Sequence, residues 1–415
     1  MANSILIISK FAPPYEFSEG IVTGKLALLL KQQGWSVKII SGQDDGPAYT
    51  KEWSPIWESL QEDTKIIHYT TYNKLHRLID LLRAIMCLKY PIDGVRWAYH
   101  SYQYCSHLIV NEHFDLIMSR SPQDASHLVA LQLKKKHRIR WVTNWDDPAS
   151  TIWPAPYNKK LGLLRNLAFS LFLKKVWNLS DFRSFPSSRL KTFFIDKFGS
   201  CNKNNFIIPH AILIYNSFLE TTENKRSSEK KPIIRFCHSG NLSIERNPFN
   251  FLHAISKFIQ ETANENFRVD IIGKCDSSID EIIKTLNLDK CVTVIGPLSY
   301  QETINQLANY DGFILLEAIM IEGIYLPSKI SDYILFNKPI ICISPDQGVI
   351  ADLSKTCKQL FFASNLNVEE IKESITKVFN LLRAKSTPCI KESYINEKML
   401  LNNSIVDTLT KITRS

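Results

Sequence analysis

The feature that most constrains this 415-residue chain is an alternation of short apolar runs with helix-period stretches, interrupted once by a polar, charged tract. Residues 5–9 form an apolar run of strand length, a Pro- and Gly-bearing loop follows at 11–20, and apolar periodicity predicts a helix from about Thr23 to Gln33, closed by Gly34. Residues 36–41 again read as a strand. Strand, loop, helix and strand in so short a span make a βαβ unit, which builds parallel sheets whose functional loops lie at the strands' carboxyl ends. Further strands are expected at 115–119, 140–143, 182–185 and 205–208. After the charged tract at 220–231 the pattern restarts, with strands at 233–238, 267–272, 292–295, 312–316 and 339–343.

The expected organisation is α/β, with two Rossmann-like doubly wound parallel-sheet domains: residues 1–217, a linker at 218–232, and residues 233–393. A last helical stretch, 394–415, either finishes the second domain or crosses back onto the first. The nine cysteines show no CxxC pair and no His/Cys cluster at zinc-ligand spacing, which argues against a disulfide framework or a structural metal and fits a reducing cytoplasm. No signal peptide is visible at the start, and no apolar window reaches the roughly 18 residues that span a bilayer.

Charge is uneven. Of the 50 Lys and Arg and 41 Asp and Glu, residues 1–217 hold 27 and 17, which leaves the rest of the chain near neutrality. An excess of this kind points to an anionic partner. Two basic amphipathic stretches, 74–89 and 159–175, suit helices lying on anionic lipid headgroups, although most such helices simply cover a sheet. Nucleic acid is disfavoured as a partner, because no recognisable module or aromatic-basic platform accompanies the charge.

Three stretches carry chemistry. In Pro327-Ser328-Lys329-Ile330-Ser331-Asp332, Pro sits at a natural first helical position, so the opening N–H groups can face a phosphate; Lys329 adds charge and Asp332 can accept from a ribose diol. A capped helix with a solvated Lys and Asp is the plain alternative. In His238-Ser239-Gly240-Asn241-Leu242 with Glu245-Arg246, glycine lets backbone approach a ligand and Arg246 can neutralise a diphosphate, where a surface arginine is the alternative. The loop after the first strand, Pro13 to Gly20, is not a GxGxxG fingerprint, and no acidic residue at the end of the second strand is placed like a ribose-binding one, so NAD binding is poorly supported. Gly24 reads as a helix-packing residue.

In this order the stretches resemble the GT-B glycosyltransferases of family 4, the retaining glycogen-synthase and mannosyltransferase-like group, over nearly the whole chain. The likeness rests on Phe11-Ala12-Pro13-Pro14 with Glu19-Gly20, on Ile208-Pro209-His210-Ala211, and on Phe236-Cys237-His238-Ser239-Gly240-Asn241-Leu242. Ser121-Pro122, His127-Leu128-Val129-Ala130 and Asp146-Asp147-Pro148 are similar to a subgroup acting on surface polysaccharides. The resemblance implies two domains facing a cleft and a nucleotide-diphosphate sugar donor held by the second domain. It also implies retention of configuration by same-face attack, a glycan or lipid-linked acceptor, and no cofactor or metal. Donor contacts implied are Gly20, Gly240, Asn241, Arg246, Glu322, Ser328, Lys329 and Asp332; Arg246, Lys329 and Asp147 are the catalytic candidates, with His127 and Asp147 on the acceptor side.

Two departures stand out. Where the family places an Arg after the glycine and a Lys five residues later, this chain has Asn241 and Arg246. Of the family's paired glutamates, Asp332 takes the second place, whereas Ile324 stands at the first, with Glu322 or Glu317 as the nearest substitutes. Rival readings are a sugar-nucleotide 2-epimerase of the same fold and a non-catalytic sugar-nucleotide or glycan-binding partner subunit.

Overall fold

The structure is a computed structural model. It describes every residue except 1, 43–52, 70–72, 150, 159–161, 200–203, 214–232, 247, 263–265 and 385–390, and the side chains of 163–164 and 391–400 are not described. The expected linker at 218–232 therefore lies outside the described residues. The chain divides into two compact units, Met1–Leu213 with Leu400–Ser415, and Ile214–Met399.

The first unit runs β1 (Ser4–Ile8), α1 (Ser18–Gln32), β2 (Ser36–Gly42), β3 (Thr64–Ile67), α2 (Lys74–Leu88), α3 (Val95–Asn111), β4 (Leu116–Arg120), α4 (Asp124–His137), β5 (Trp141–Asn144), α5 (Leu163–Leu179), β6 (Phe182–Phe185), α6 (Ser188–Phe198) and β7 (Asn205–Ile207). Its strands form one sheet in the order β3-β2-β1-β4-β5-β6-β7, and every pairing is parallel. Helices cover the sheet, so the central strands are buried along their length and read as near-continuous apolar runs.

The second unit runs β8 (Ile234–Ser239), α7 (Phe249–Thr262), β9 (Phe267–Ile272), α8 (Ser277–Thr285), β10 (Val292–Gly296), α9 (Tyr300–Leu307), β11 (Gly312–Leu316), α10 (Ile330–Tyr333), β12 (Ile340–Ser344), α11 (Val349–Ser354), β13 (Leu360–Ser364) and α12 (Val368–Arg383). The sheet order is β10-β9-β8-β11-β12-β13, again wholly parallel. One continuous core joins Phe236, Phe258, Phe267 and Phe379 to the aliphatic faces of β9, β11 and β12. In each unit the strand order reverses beside the unit's first strand, between β1 and β4 and between β8 and β11. Ligands of open α/β sheets bind at such reversals.

α13 (Lys391–Arg414) ends in the first unit. There Ile405, Leu409 and Ile412 are buried, and the Asn402 side chain bonds both the N–H (3.1 Å) and the carbonyl (2.7 Å) of Ile212. Among the described residues, no helix is long and apolar enough to cross a membrane.

The expected strands lie where structure forms, usually displaced by a residue. Two were not anticipated: β3, a four-residue edge strand rich in polar residues, and β13, a five-residue run that periodicity alone does not distinguish from helix. Helix α1 begins at Ser18, five residues ahead of the apolar stripe, because its first turn is held by polar contacts that Glu19 makes with other elements. Gly24 has the packing role expected: a Cβ there would lie 2.6 Å from the wholly buried ring of Trp57. Gly24→Val should therefore destabilise this unit by about 1–3 kcal/mol through overpacking. Denaturant unfolding followed by tryptophan fluorescence checks it, and an unchanged midpoint would mean that α1 does not rest on Trp57.

Candidate functional site

The second unit gathers its charged groups at the carboxyl ends of β8, β11 and β12. Gly240, the residue after β8, has φ +127°, and the Cε and Nζ of Lys329 lie 2.3 Å from where its Cβ would be. Only glycine admits both the backbone angle and the lysine. Lys329 Nζ stands 3.5 Å from His238 Nε2. On its other side the imidazole meets the carbonyl of Ile314 at 3.0 Å, so Nδ1 donates there and Nε2 remains an acceptor turned to the ammonium. The Tyr333 hydroxyl accepts from Ser239 N–H at 2.8 Å and lies 3.0 Å from Ser239 Oγ, tying the end of β8 to α10.

Arg246 donates to the carbonyl of Leu316, the last residue of β11, at 3.2 Å. Glu317 follows, and its Oε2 accepts from Ser344 Oγ at the end of β12, at 2.5 Å. Burial raises the Glu317 carboxyl to about 7, against the pull of Ser344, Arg246 and Lys329 towards ionisation. Burial chiefly, and then the Arg246 charge, hold the Lys329 amine well below its usual value. Burial, with Lys329 and Arg246 as like-charged neighbours, keeps His238 neutral. The cluster is thus poised to gain a negative charge: two crowded cations, a neutral imidazole and a carboxyl near its midpoint.

The remaining expected donor contacts are placed as follows. Asn241 is exposed, and its Oδ1 accepts from Lys274 N–H at 3.0 Å, fixing the loop after β9. Ser328 and Lys329 sit in a 3₁₀-type turn, Ser328 accepting from Ser331 through its carbonyl, and α10 behind them is only four residues long. The anion site expected at a full helix N-terminus is therefore corrected to a single turn, where the side-chain cations supply most of the charge. Asp332, expected to meet a ribose, is buried with Oδ1 accepting from Tyr300 Oη at 2.8 Å. Glu322 is partly exposed, and of the two glutamates offered for the family's first position it is Glu317 whose carboxyl is coupled to Arg246 and Lys329.

In the first unit, Arg120 ends β4 and is wholly buried. Its Nε reaches Thr23 Oγ1 (2.9 Å) and Glu19 Oε1 (3.3 Å), and its Nη2 pairs with Asp146, two residues past β5. Burial first, then Asp146, raise Glu19 well above the usual carboxylate range, although Arg120 opposes them. Burial, then Asp146, raise the half-buried Asp147 to about 7, and Ser121 Oγ clasps its backbone. Gly20 contributes by packing, since a Cβ there would meet the Tyr15 carbonyl at 2.0 Å. His127, expected beside an acceptor, is instead fully buried: its Nδ1 contacts Ser119 Oγ at 2.8 Å, its ring lies 4.1 Å from that of Trp145, and burial lowers it to about 3. That is a core position. Among the described residues no three His, Cys, Asp or Glu side chains are placed to share a metal ion.

Arg120 escaped assignment from sequence, while Glu317 stood there only as a substitute for a family glutamate and His238 only as part of a motif. A signal existed for Arg120, a charge closing the apolar strand Leu116-Ile117-Met118-Ser119, with an acid just beyond the neighbouring strand. For His238 and Glu317 the signal was their place one residue before or after a strand's end.

Residues 220–392 match the family model of glycosyl transferases group 1. That part of the chain is a group 1 glycosyltransferase domain. The solved structures agree on a GT-B fold for the chain as a whole. Sucrose-phosphate synthase from Thermosynechococcus elongatus superposes with a TM-score of 0.64 at 11% identity, covering 99% of this chain and 98% of that one. A mutant of S. aureus TarM, in complex with fondaparinux, alpha-GlcNAc-glycerol and UDP, gives 0.64 at 11% identity with full coverage of both chains, 100% and 100%. UDP-GlcNAc 2-epimerase from Methanocaldococcus jannaschii gives 0.51 at 12% identity, covering 92% and 93%. No curated protein matches the sequence.

In the first unit, Arg120→Met should cost about 3–5 kcal/mol at pH 8, because it leaves buried carboxylates without their cation. The loss should shrink towards pH 5, since Glu19 and Asp147, both raised, then take up protons and need no counter-charge. Chemical denaturation at the two pH values reads this directly; an equal cost at both would show that Arg120 acts by packing alone.

Proposed function

We propose that this glycosyltransferase moves a hexosyl or related sugar from a nucleoside-diphosphate sugar to a glycan or lipid-linked acceptor, with retention, in cell-surface polysaccharide synthesis. The observation carrying this reading is the pair of neighbouring cations at the reversal of the second sheet, Lys329 packed on Gly240 and Arg246 on the Leu316 carbonyl. A departing diphosphate develops negative charge as the anomeric bond breaks, and preorganised cations stabilise it at no cost of reorganisation. Lys329, deprived of water and crowded by Arg246, is stabilised as a cation when an anion arrives. His238 Nε2 holds its ammonium in place from one side and Glu317 carries the proton balance on the other.

With the leaving phosphate accepting the acceptor's proton on the same face, no protein nucleophile and no metal is required. The TarM complex contains UDP, which favours a uridine donor here. Asp147, half-buried and near its midpoint at neutral pH, is the acceptor-side group in this reading. The enzyme works in the cytoplasm, with its basic first domain turned to an anionic membrane surface.

Isothermal calorimetry with UDP, GDP, ADP, CMP and NAD tests the donor site. One nucleoside diphosphate should bind, and Arg246→Ala should weaken it by about 1.5–3 kcal/mol, the worth of a charged hydrogen bond. Binding of NAD or of nothing sinks the reading, while isomerisation of a free nucleotide sugar at its second carbon would favour an epimerase.

Donor affinity should also fall as pH rises from 6 to 8. Below about 7 the Glu317 carboxyl is neutral and leaves the cations to the diphosphate; above that it ionises beside them. A loss on the order of tenfold is expected for a nucleotide sugar whose diphosphate diester keeps constant charge over this range, and Glu317→Gln should reduce it. A profile identical in the variant would remove Glu317 from the site.

A further inference from the structure

Helix α2 leaves an apolar stripe uncovered. Leu75, Leu78, Ile79, Leu82 and Met86 are between 37% and 63% exposed, whereas Ala84 and Leu88 on the far side are buried. At 3.6 residues per turn these five side chains fall within about 100° of the helix circumference. The helix is a properly terminated element: Asn73 Oδ1 caps its start by accepting from Leu75 N–H at 2.9 Å, and Lys89 closes it in the left-handed conformation. Gln132 of α4 ties down its end through the Leu88 carbonyl at 2.9 Å.

The charge bordering the stripe has one sign, with Lys74 and Arg83 flanking it about 90° to either side of its centre and Arg77 on the opposite side of the helix. Lys74, Arg77 and Arg83 are exposed and make no ion pair among the described residues. The single acid of the helix, Asp80, is turned to α3, where it binds Arg96 Nε (2.6 Å) and His100 Nε2 (3.0 Å). Beyond the helix, the Tyr90 ring packs on Phe172 of α5 at 5.1 Å and Asp93 pairs with Arg165 of α5 at 2.6 Å. Leu167 and Leu171 on α5 are exposed too, beside the exposed Lys174 and Lys175.

We infer that α2 is the segment by which this protein lies on an anionic lipid bilayer, with the Leu75–Met86 stripe sunk among the acyl chains and Lys74 and Arg83 at the headgroups on either side of it. This rests on the membrane placement proposed above and gives it a surface. An apolar stripe bordered by cations matches the lipid interface, apolar inside and anionic at its rim. A second copy is a poor occupant: a twofold contact through this face sets Lys74 and Arg83 against their own copies, with no acid on the face to answer them.

The test is flotation of the full-length protein, without donor or acceptor, on phosphatidylcholine vesicles with and without about 30 mol% phosphatidylglycerol. The wild type should bind the anionic vesicles and release at high salt. The quadruple variant L75S, L78S, L82S and M86S should bind at least tenfold more weakly, and so should the double variant K74Q and R83Q, each keeping the wild-type melting temperature and donor binding. The two variants remove different terms, so loss of folding in one leaves the other decisive. Wild-type binding that is absent, or equal on pure phosphatidylcholine, overturns the inference, as does a folded variant that binds like wild type. Light scattering that finds a wild-type dimer and a monomeric quadruple variant also overturns it, in favour of a copy-to-copy interface. Because the assay contains no sugar donor, failure here leaves the transfer reaction untouched, and failure of donor binding leaves the surface untouched.

Discussion

A parallel sheet buried on both faces has nowhere to put polar chemistry except the ends of its strands. The side chains of β1, β4, β8, β11 and β12 are almost all buried, so a group that must meet water or substrate has to stand where a strand gives way to its loop. His238, Glu317, Ser344 and Arg120 stand at such strand ends, and Lys329, Arg246, Glu19 and Asp146 reach them from the loops and helix starts that follow. The hydrophobic requirement that makes the sheet also chooses the site.

The two clusters solve opposite electrostatic problems. Around Arg120, one buried guanidinium answers Glu19 and Asp146, with Asp147 close by, and the arrangement is closed, with its charges spent on one another. Around Lys329 the cations outnumber the acid they face, and the acid is half-protonated near neutrality. Buried ion pairs are weak sources of stability because desolvation offsets their attraction. The first arrangement is better understood as fixing the start of α1 against β4, and the second as a binding surface whose strain a ligand relieves.

Sequence reasoning recovered the layers well and the chemistry in part, for physical reasons that separate the two. Apolar runs such as Gly312–Leu316 announce themselves because every residue in them is buried, and the polar edge strand Thr64–Ile67 does not because half of it is wet. Gly240 and Lys329 were legible as a glycine turn and a cation after a proline, but their contact spans 89 positions of chain, and no local pattern encodes it. His127 shows the converse. Its motif position suggested contact with an acceptor, yet the hydrogen bond to Ser119 and the ring of Trp145 place it in the core. Asp332 likewise has a partner, Tyr300, that lies 32 residues away and is invisible to spacing arguments.

The substitution of Asn241 for the arginine of the related family then acquires a structural sense. Its Oδ1 receives the Lys274 N–H and holds the loop after β9 against the loop after β8, where Gly240 and Gly273 already approach so closely that a Cβ on Gly273 would lie 2.5 Å from the Gly240 carbonyl. A long side chain at 241 would have to leave that bond unmade. Arg246, standing at the family's lysine position, and Lys329 reach the same end of the sheet from different loops, close enough that the arginine's charge disfavours the lysine's.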